Sequence, residues 1–490
     1  DLVFCGRTLL GAPAPKGQEM EDHYFGTLKP KVAAYMHDLD VELWKLGIPA
    51  KTKHNEVAPA QHELAPVFDT TNVAVDHNQL TMEIMKKVAD KHDLVCLLHE
   101  KPFEGINGSG KHNNWSMITD DGVNLLDPGK TPSENIQFLV FLMAVIKAVD
   151  EYADLLRISV ASAGNDHRLG ANEAPPAVVS IFLGDELTEV LKSIENNTYF
   201  TSHGAVQMDI GATVLPHFVK DNTDRNRTSP FAFTGNKFEF RMLGSAASVA
   251  NPNIVLNTAV AEALDQFAKE LDGVAPEDME HAVHELIKRA IKKHKRVIFN
   301  GNGYTDEWIE EAEKRGLYNL KSTPDALPMW IAQKNIDLFT KHSIFTSEEL
   351  HSRYEIWLEN YSKTINIESN TMVEMVQKDL LPSVMSYIEE IASTASLKAS
   401  VVPGITCESE TALITKLSGL QDAMTKGLEK LKADTAKAKA TDDVLENAKL
   451  YQAEVLEDME ELRKSADEAE TLIPDDLLPY PTYGKLLFYI

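Results

Sequence analysis

Three short stretches of the sequence combine residue types that bind metal ions and anions. The first, residues 51–63, reads KTKHNEVAPAQHE and holds His54, Glu56 and Glu63. His54 and Glu56 are two positions apart, so on a β-strand they share a face, and Pro59 is expected to end that strand before Glu63. Two carboxylates and an imidazole are costly to bury together unless a cation lies between them. A solvated strand edge is the alternative interpretation.

The second stretch, residues 105–118, reads GINGSGKHNNWSMI. After its glycine-rich turn, His112, Asn114 and Ser116 alternate with Asn113, Trp115 and Met117, a period of two that predicts a strand. One face of this strand is therefore polar and includes an imidazole.

The third stretch, residues 236–242, reads NKFEFRM and places Lys237, Glu239 and Arg241 on one strand face, opposite an apolar face. Such a strand is predicted to be half-buried, with its charged face directed into polar surroundings. An edge strand facing water fits this pattern as well. Because such a polar strand face occurs three times, the sequence favours the wall of a polar, metal-binding cavity.

A polar loop between two apolar segments, residues 162–176, carries Arg168 and Glu173. In isolation the two side chains would suggest a surface ion pair. Beside a metal-binding cavity, an arginine suits a substrate carboxylate. A glutamate on a mobile loop suits a lid or a proton acceptor.

Two further arginines, Arg225 and Arg227, precede the charged strand in the segment DRNRTSPFAF. They indicate either a solvated turn or a pair of phosphate ligands, with Arg227 favoured. Carboxylates with a single histidine are typical of a hard-cation site for Mg²⁺ or Mn²⁺. Combined with several arginines, they indicate phosphoryl transfer.

Composition limits the classes of partner. The 490-residue chain has a net charge of −27, which disfavours nucleic acid and anionic membranes as partners. The longest apolar run, residues 138–146, is far shorter than the roughly 20 residues that span a bilayer. Cys5, Cys96 and Cys407 are widely spaced, as expected in a reducing cytosol.

Hydrophobic periodicity predicts alternating helices and strands through the first 250 residues, and hence an α+β or α/β fold. Helices are predicted over residues 28–46 and 72–92, and a buried strand over residues 93–98. Thr131 is predicted to open a further helix that runs to about residue 156, with a capping box. From about residue 254 the pattern becomes almost wholly helical.

The C-terminal part contains two matched apolar seams, over residues 413–431 and 444–462. Both follow the same spacing, which predicts an antiparallel helical hairpin with a structural or assembly role. The predicted divisions are a catalytic domain over 1–253, a helical part completing it over 254–405, the hairpin over 406–472, and a C-terminal tail packed on the body over 473–490.

Four segments resemble, in order, the central signatures of glutamine synthetase: NEVAPAQHE, NGSGKHNNWS, NDHRLGANEAPP and NKFEFR. The added helical region and the PYPTYG tail resemble the type III class, the large bacterial form. The resemblance implies an α+β fold, with a barrel or funnel of curved antiparallel strands flanked by helices and a large helical C-terminal region. It also implies a cytoplasmic homododecamer of two stacked hexameric rings.

The implied activity is ATP-dependent ligation of ammonium to L-glutamate through γ-glutamyl phosphate, as part of nitrogen assimilation, with two to three Mg²⁺ or Mn²⁺ ions per site. The resemblance also implies a role for each site residue. For the metals, it implies that Glu56 and Glu63 bind the ion near glutamate and that His112 and Glu239 bind the ion near the ATP phosphates.

For the substrates, it implies that Asn107 and Gly108 bind the glutamate amino end and that Arg168 binds its α-carboxylate. Glu173 is implied to close the site and deprotonate ammonium. Arg227 and Arg241 are implied to stabilise the transferred phosphoryl group, and Asn114, Ser116 and Lys237 to lie along the nucleotide.

The sequence departs from the family pattern in ways that leave alternatives open. Asn114 stands where more familiar classes carry a second histidine, and Phe231–Phe233 stands where they carry a further arginine. The family's Glu-x-Glu metal pair is expected upstream of residue 1, in an absent N-terminal part, although Glu19 and Glu21 imitate it. A γ-glutamyl-amine (polyamine) ligase and a non-catalytic assembly or regulatory homologue are the alternatives. The Glu239→Ala variant is expected to abolish turnover and leave the assembly intact.

Overall fold

The computed structural model describes residues 1–171, 173–198, 207–208, 218–219 and 226–488, so Arg225 lies outside the described residues. The strands are β1 Ala50–Asn55, β2 His62–Pro66, β3 Gly110–Trp115, β4 Ile181–Phe182, β5 Gln207–Met208, β6 Phe218–Val219, β7 Phe231–Phe233 and β8 Phe238–Gly244. The helices are α1 Leu2–Cys5, α2 Asp22–Phe25, α3 Pro30–Lys45, α4 Thr71–Lys91, α5 Ile136–Glu151, α6 Ala153–Ile158, α7 Ala163–Asp166, α8 Asp185–Asn196, α9 Ala250–Leu271, α10 Met279–His294, α11 Asp306–Lys314, α12 Thr323–Ala326, α13 Gln333–Lys341, α14 Ser347–Met375, α15 Leu381–Val401, α16 Glu408–Lys439, α17 Val444–Leu450, α18 Leu456–Glu470 and α19 Tyr483–Phe488.

The chain forms two compact units. The first unit comprises residues 1–109 and 355–490, and the second comprises residues 110–354. The four consecutive domains predicted from the sequence, over residues 1–253, 254–405, 406–472 and 473–490, stay a prediction.

In the first unit, a small apolar core fixes the β1–β2 hairpin. The hairpin is antiparallel, with His54 opposite Glu63. Leu64 on β2 packs against a core contributed mainly by α3 and α4. This core consists of Leu39, Leu43, Ile48 and Val88, with Tyr35, Ile84 and Met85 at its margin.

The predicted antiparallel helical hairpin is present in the first unit. Helix α16 packs along α18, and both predicted seams supply buried residues to the contact. Asp443 caps the returning helix by accepting from the backbone N–H groups of Leu445 and Glu446. One π-helical turn, Tyr451–Val455, separates α17 from α18. The C-terminal tail packs on this unit through Tyr483 and Leu487, which are both buried.

In the second unit, a four-stranded sheet has the order β3-β8-β7-β4. Strands β3, β8 and β7 pair antiparallel, whereas β4 and β7 pair parallel. The apolar face of β8 is anchored by aromatic packing, because the Phe231 and Phe238 rings stack with centroids 4.8 Å apart and Phe240 contacts Phe231 edge-on. The register of Glu239 and Arg241 is thereby fixed.

Two local predictions were wrong. Residues 93–98 form no regular strand, and Val95 is 76% exposed. An apolar run of that length does not by itself distinguish a strand from an extended surface segment. The helix predicted to open at Thr131 begins instead at Ile136, because the Asn135 side chain caps it by accepting from the Phe138 N–H.

The α+β class is confirmed, with two corrections to the expected sheet. The sheets formed by the described residues are open rather than closed into a barrel, and the β4–β7 pair is parallel. Within those residues, no helix combines the length and the apolar composition that crossing a bilayer requires.

Candidate active site

The β1–β2 hairpin of the first unit brings His54, Glu56 and Glu63 together. Strand β1 ends at Asn55, so Glu56 lies just beyond it and does not share a strand face with His54 as predicted. Instead, the turn closes through a hydrogen bond from Glu56 N to Gln61 O (2.9 Å). His54 Nδ1 then lies 3.6 Å from Glu56 Oε1, and His54 Nε2 lies 4.0 Å from Glu63 Oε1.

This acidic cluster of His54, Glu56 and Glu63 has the chemistry of a cation site. One ligand atom from each residue lies within 4.8 Å of the others, and it is the one such group of three or more metal-binding side chains found among the described residues. Burial and the nearby Glu63 carboxylate raise the pKa of Glu56 to about 6, and His54 partly opposes the shift. A divalent cation would relieve this crowding of negative charge, so the residues fit a hard metal ion.

Asn107 and Gly108 lie in the same unit, on an irregular loop held by two glutamines. Asn107 accepts from Gln18 Nε2 (2.7 Å), and its backbone N–H donates to Gln18 Oε1 (3.0 Å). Gln61 Nε2 donates to the carbonyl of Gly108 (2.8 Å). Because Gln61 also closes the turn after Glu56, the loop is tied to the acidic cluster.

In the second unit, Glu239 and Arg241 form an ion pair on β8. Arg241 Nε and Nη2 both donate to Glu239 Oε2, at 3.1 and 2.8 Å. The two side chains are only 7% and 4% exposed. The charged face of this strand was expected to look into polar surroundings on a half-buried strand, but every residue of β8 is buried. The two charges neutralise each other instead.

Arg241 also reaches the turn that carries Arg227. Arg241 Nη1 donates to the carbonyl of Asn226 (2.6 Å), and Arg227 follows directly, exposed on the turn. The turn that carries Arg227 is therefore hydrogen-bonded to the Arg241 guanidinium.

Arg168 is buried at the edge of the same sheet. Its Nη1 donates to the carbonyl of Leu243 and to Asn165 Oδ1, both at 3.3 Å. Asn165 is itself fully buried and donates to the carbonyls of Val160 (2.8 Å) and Met242 (2.9 Å). A side chain at Gly110 would overlap the Arg168 guanidinium and crowd the Leu243 carbonyl, so a larger residue there would displace Arg168 from this position.

Tyr304 is a residue of this region that the sequence reasoning missed. Burial raises the pKa of its hydroxyl, Arg168 and Arg241 oppose that shift, and Glu173 adds to it. The hydroxyl is therefore within electrostatic reach of three predicted site residues. Its loop is clipped to the Arg227 turn by a hydrogen bond from Asn226 Nδ2 to the Gly301 carbonyl (2.8 Å). The segment GNGYT, residues 301–305, is typical of a turn, but its residue types do not indicate a functional site.

The predicted nucleotide residues Asn114, Ser116 and Lys237, and the predicted metal ligand His112, lie on or next to the β3–β8 strand pair. Asn114 is directly opposite Glu239, whereas His112 falls at the register shift between Lys111 and Asn113. Ser116 Oγ donates to Asn124 Oδ1 (2.7 Å) and lies 3.0 Å from the carbonyl oxygen of Asn236, the residue that precedes Lys237.

Glu19 and Glu21 do not reproduce a metal pair on a strand. The exposed Glu19 accepts through Oε2 from the N–H of the buried Gly17 (2.8 Å). Glu21 adopts a left-handed backbone conformation just before α2. Their alternation in the sequence therefore does not place their side chains on a common face.

Comparison with known proteins identifies the class of enzyme. Residues 12–179 match the glutamine synthetase catalytic domain, and residues 282–398 match the glutamine synthetase C-terminal domain. The chain is 61% identical to a glutamine synthetase of Butyrivibrio fibrisolvens, covering all of this chain and 69% of that protein. The chain therefore belongs to the glutamine synthetase family.

The particular class follows from a second relative. The type-3 glutamine synthetase of Dictyostelium discoideum is 48% identical over the whole chain, which spans 67% of that protein. The chain is assigned to the type III class, and glutamine synthesis is the function that this membership gives it. The family generally uses ATP and divalent metal ions.

Among solved structures, a cryo-EM structure of Plasmodium falciparum glutamine synthetase is similar at 15% identity, with a TM-score of 0.42, covering 68% of this chain and 60% of that one.

Proposed function

We propose that the chain ligates ammonium to L-glutamate through γ-glutamyl phosphate, with ATP as the phosphoryl donor. The observation that carries the proposal is the acidic cluster, in which one potential ligand atom from each of His54, Glu56 and Glu63 lies within 4.8 Å of the others. Such a cluster suits a cation that faces a polyanionic substrate.

Two sets of residues are proposed to hold metal. Glu56 and Glu63, with His54 beside them, would hold the ion near glutamate, and His112 with Glu239 would hold the ion near the ATP phosphates. Two to three Mg²⁺ or Mn²⁺ ions per site are proposed. Bound there, they would offset the negative charge of the phosphates. The fit at Glu239 is weaker, because Arg241 already occupies its Oε2 oxygen.

The substrate roles follow the chemistry of the side chains. Asn107 and Gly108 would bind the glutamate amino group, and the buried Arg168 guanidinium would bind its α-carboxylate. Arg227 and Arg241 would stabilise the phosphoryl group in transfer. Asn114, Ser116 and Lys237 would contact the nucleotide.

The reaction proceeds in two steps. A γ-carboxylate oxygen of glutamate attacks the terminal phosphorus of ATP, and the bond to the bridging oxygen breaks to release ADP. Glu173 then takes a proton from ammonium, and the resulting ammonia attacks the activated acyl carbon with loss of phosphate. Arg227 and Arg241 supply fixed positive charge near the transferred group in both steps.

The proposed assembly is a homododecamer of two stacked hexameric rings, by analogy with the family. A cytoplasmic location is also proposed, and it is supported by Cys5, Cys96 and Cys407, none of which forms a disulfide.

The test is ADP release by the intact protein with glutamate, ATP and Mg²⁺, with and without ammonium. Ammonium-dependent release, accompanied by equal formation of glutamine, is expected. Release that depends instead on a polyamine or another primary amine would support a γ-glutamyl-amine ligase. No release under either condition would support a non-catalytic homologue.

A further inference from the structure

The loop that carries Asn107 and Gly108 has no regular secondary structure of its own. Its tip is held by Gln18 and Gln61, as described above. Its base, at Phe103 and Glu104, is held by a residue from the opposite end of the sequence.

That residue is Tyr483, in the C-terminal tail of the same unit. Its side chain is buried, and its ring meets the Phe103 ring edge-on with centroids 5.2 Å apart. Its hydroxyl accepts from the Glu104 N–H (3.1 Å) and from Arg463 Nη2 (2.6 Å). It also lies 2.6 Å from Thr8 Oγ1, which donates its own proton to the Pro102 carbonyl (2.9 Å).

These contacts use the full capacity of a tyrosine hydroxyl. Because Thr8 donates to Pro102, the Tyr483 hydroxyl donates to Thr8 and receives two hydrogen bonds on its oxygen. A side chain at Gly11 would overlap the Tyr483 ring, so the N-terminal segment is shaped to receive it. This fit indicates a specific docking position for the tail.

Arg463 extends the network to the helical hairpin. It lies on α18 and donates to the Gly11 carbonyl (3.2 Å) and to Asp467 Oδ2 (2.9 Å). Asp467 Oδ1 in turn accepts from the Gly11 N–H (2.7 Å). One hydroxyl thus joins the loop base to the N-terminal segment and to a helix of the hairpin.

We propose that Tyr483 is a positioning residue for glutamate binding, through which the C-terminal tail and the helical hairpin fix the loop that presents Asn107 and Gly108. The inference rests on the proposed substrate role of those two residues. It gives the added helical region a part in substrate affinity as well as in packing.

The test is the Tyr483→Phe variant of the intact protein, assayed for glutamine formation. Removal of the hydroxyl keeps the ring and its contact with Phe103 but leaves the Glu104 N–H and Arg463 without this acceptor. The KM for glutamate is expected to rise about tenfold, while kcat and the KM for ATP stay within about twofold of the original values.

The matched control is Tyr480→Phe. Tyr480 lies in the same tail, and its buried hydroxyl has no hydrogen-bond partner among the described residues. All kinetic constants are expected to stay unchanged. A Thr8→Ala variant removes two hydrogen bonds of the network, to the Pro102 carbonyl and from the Tyr483 hydroxyl. It should raise the glutamate KM by a smaller factor than Tyr483→Phe does, and it tests the inference independently if Tyr483→Phe does not fold.

An unchanged glutamate KM in both Tyr483→Phe and Thr8→Ala would overturn the inference, as would an equal rise in Tyr480→Phe. The Asn107→Ala variant separates this failure from a failure of the proposed site. If Asn107→Ala raises the glutamate KM and Tyr483→Phe does not, only the positioning role is wrong. If Asn107→Ala has no effect, the substrate role of the loop fails and the inference fails with it.

Discussion

The two charged regions of this chain balance their charge in opposite ways. In the first unit, His54, Glu56 and Glu63 form a partly exposed cluster in which carboxylate faces carboxylate. In the second unit, Glu239 is buried against Arg241, which donates two hydrogen bonds to it. We therefore expect an external cation to neutralise the acidic cluster, whereas the β8 pair already holds its own counter-charge.

The difference bears on stability as well as on chemistry. Removing a charge from a crowded acidic cluster relieves repulsion, whereas removing one partner of a buried ion pair leaves the other charge uncompensated. Glu56 and Glu239 both have proposed roles in metal binding, but substituting Glu56 is expected to raise the stability of the metal-free protein, whereas substituting Glu239 is expected to lower it.

The largest effect is expected at Glu239. The Glu239→Ala variant leaves the Arg241 guanidinium buried without its carboxylate, which costs about 3–5 kcal/mol of stability. Turnover should fall by a factor on the order of 10³. From the sequence alone, Glu239→Ala was expected to leave the assembly intact. Because Glu239 is paired with a buried arginine, we now expect this variant to be destabilised as well. Thermal unfolding and ADP release measure the two effects.

The control is the double variant Glu239→Ala/Arg241→Met, which removes both buried charges. It should recover most of the lost stability while remaining inactive, because both proposed functional groups are gone. If the single variant proved as stable as the original protein, the contrast between the two regions would be lost.

A smaller effect of opposite sign is expected at Glu56. The Glu56→Gln variant removes one of the two crowded carboxylates, so the metal-free protein should gain about 1 kcal/mol. Turnover should fall about 10²-fold, and the stabilisation produced by saturating Mg²⁺, about 2–3 kcal/mol in the original protein, should be lost. Thermal unfolding with and without Mg²⁺ measures this.

Glu83→Gln is the matched control, because Glu83 is exposed on α4 and paired with Lys87. Its Mg²⁺-dependent shift should equal that of the original protein. An undiminished shift in Glu56→Gln would place the cation elsewhere.

Glu470 is a buried carboxylate outside both charged regions, and its substitution is expected to change the pH dependence of stability and to have the smallest effect on turnover. It is buried on α18 and accepts from the Ala12 N–H (3.1 Å). Burial raises its pKa to about 7, the nearby Asp467 adds to the shift, and Arg463 opposes it. Between about pH 4.5 and 7 the folded protein retains a proton that the unfolded chain has released, so the free energy of unfolding falls as pH rises through this range.

The Glu470→Gln variant keeps an acceptor for the Ala12 N–H and removes this titration. The free energy of unfolding of the variant, relative to that of the original protein, should therefore rise between pH 5 and pH 8, by roughly 3 kcal/mol at most. Glu461→Gln, at an exposed position of the same helix, should show no such trend. Parallel pH profiles for Glu470→Gln and the original protein would contradict the assignment.

Local sequence patterns predicted what depends on local interactions. The apolar spacing of α3, α4 and the helical hairpin predicted those helices, and the alternation in NKFEFR predicted strand β8. The grouping of His54, Glu56 and Glu63 was also predictable, although the hairpin register rather than a shared strand face produces it.

The remaining features depend on contacts between distant segments. Nothing near Tyr483 in the sequence indicates that it reaches Glu104, because 379 residues separate the two. Tyr304 likewise joins its site through a loop clipped to Asn226. The burial of Glu239 and Arg241 was missed because alternation shows which side chains share a face, but not what covers that face.

The contact between the N-terminal segment and α18 has a consequence for the order in which the chain folds during synthesis. Gly11 and Asp467 are 456 residues apart, and the second unit lies between them as one continuous stretch. At roughly 5–20 residues per second, a ribosome needs about 25–90 s to make the intervening chain. The second unit can therefore fold while the loop and the acidic cluster of the first unit still await their C-terminal partners, and that early segment is exposed to chaperones and proteases in the meantime.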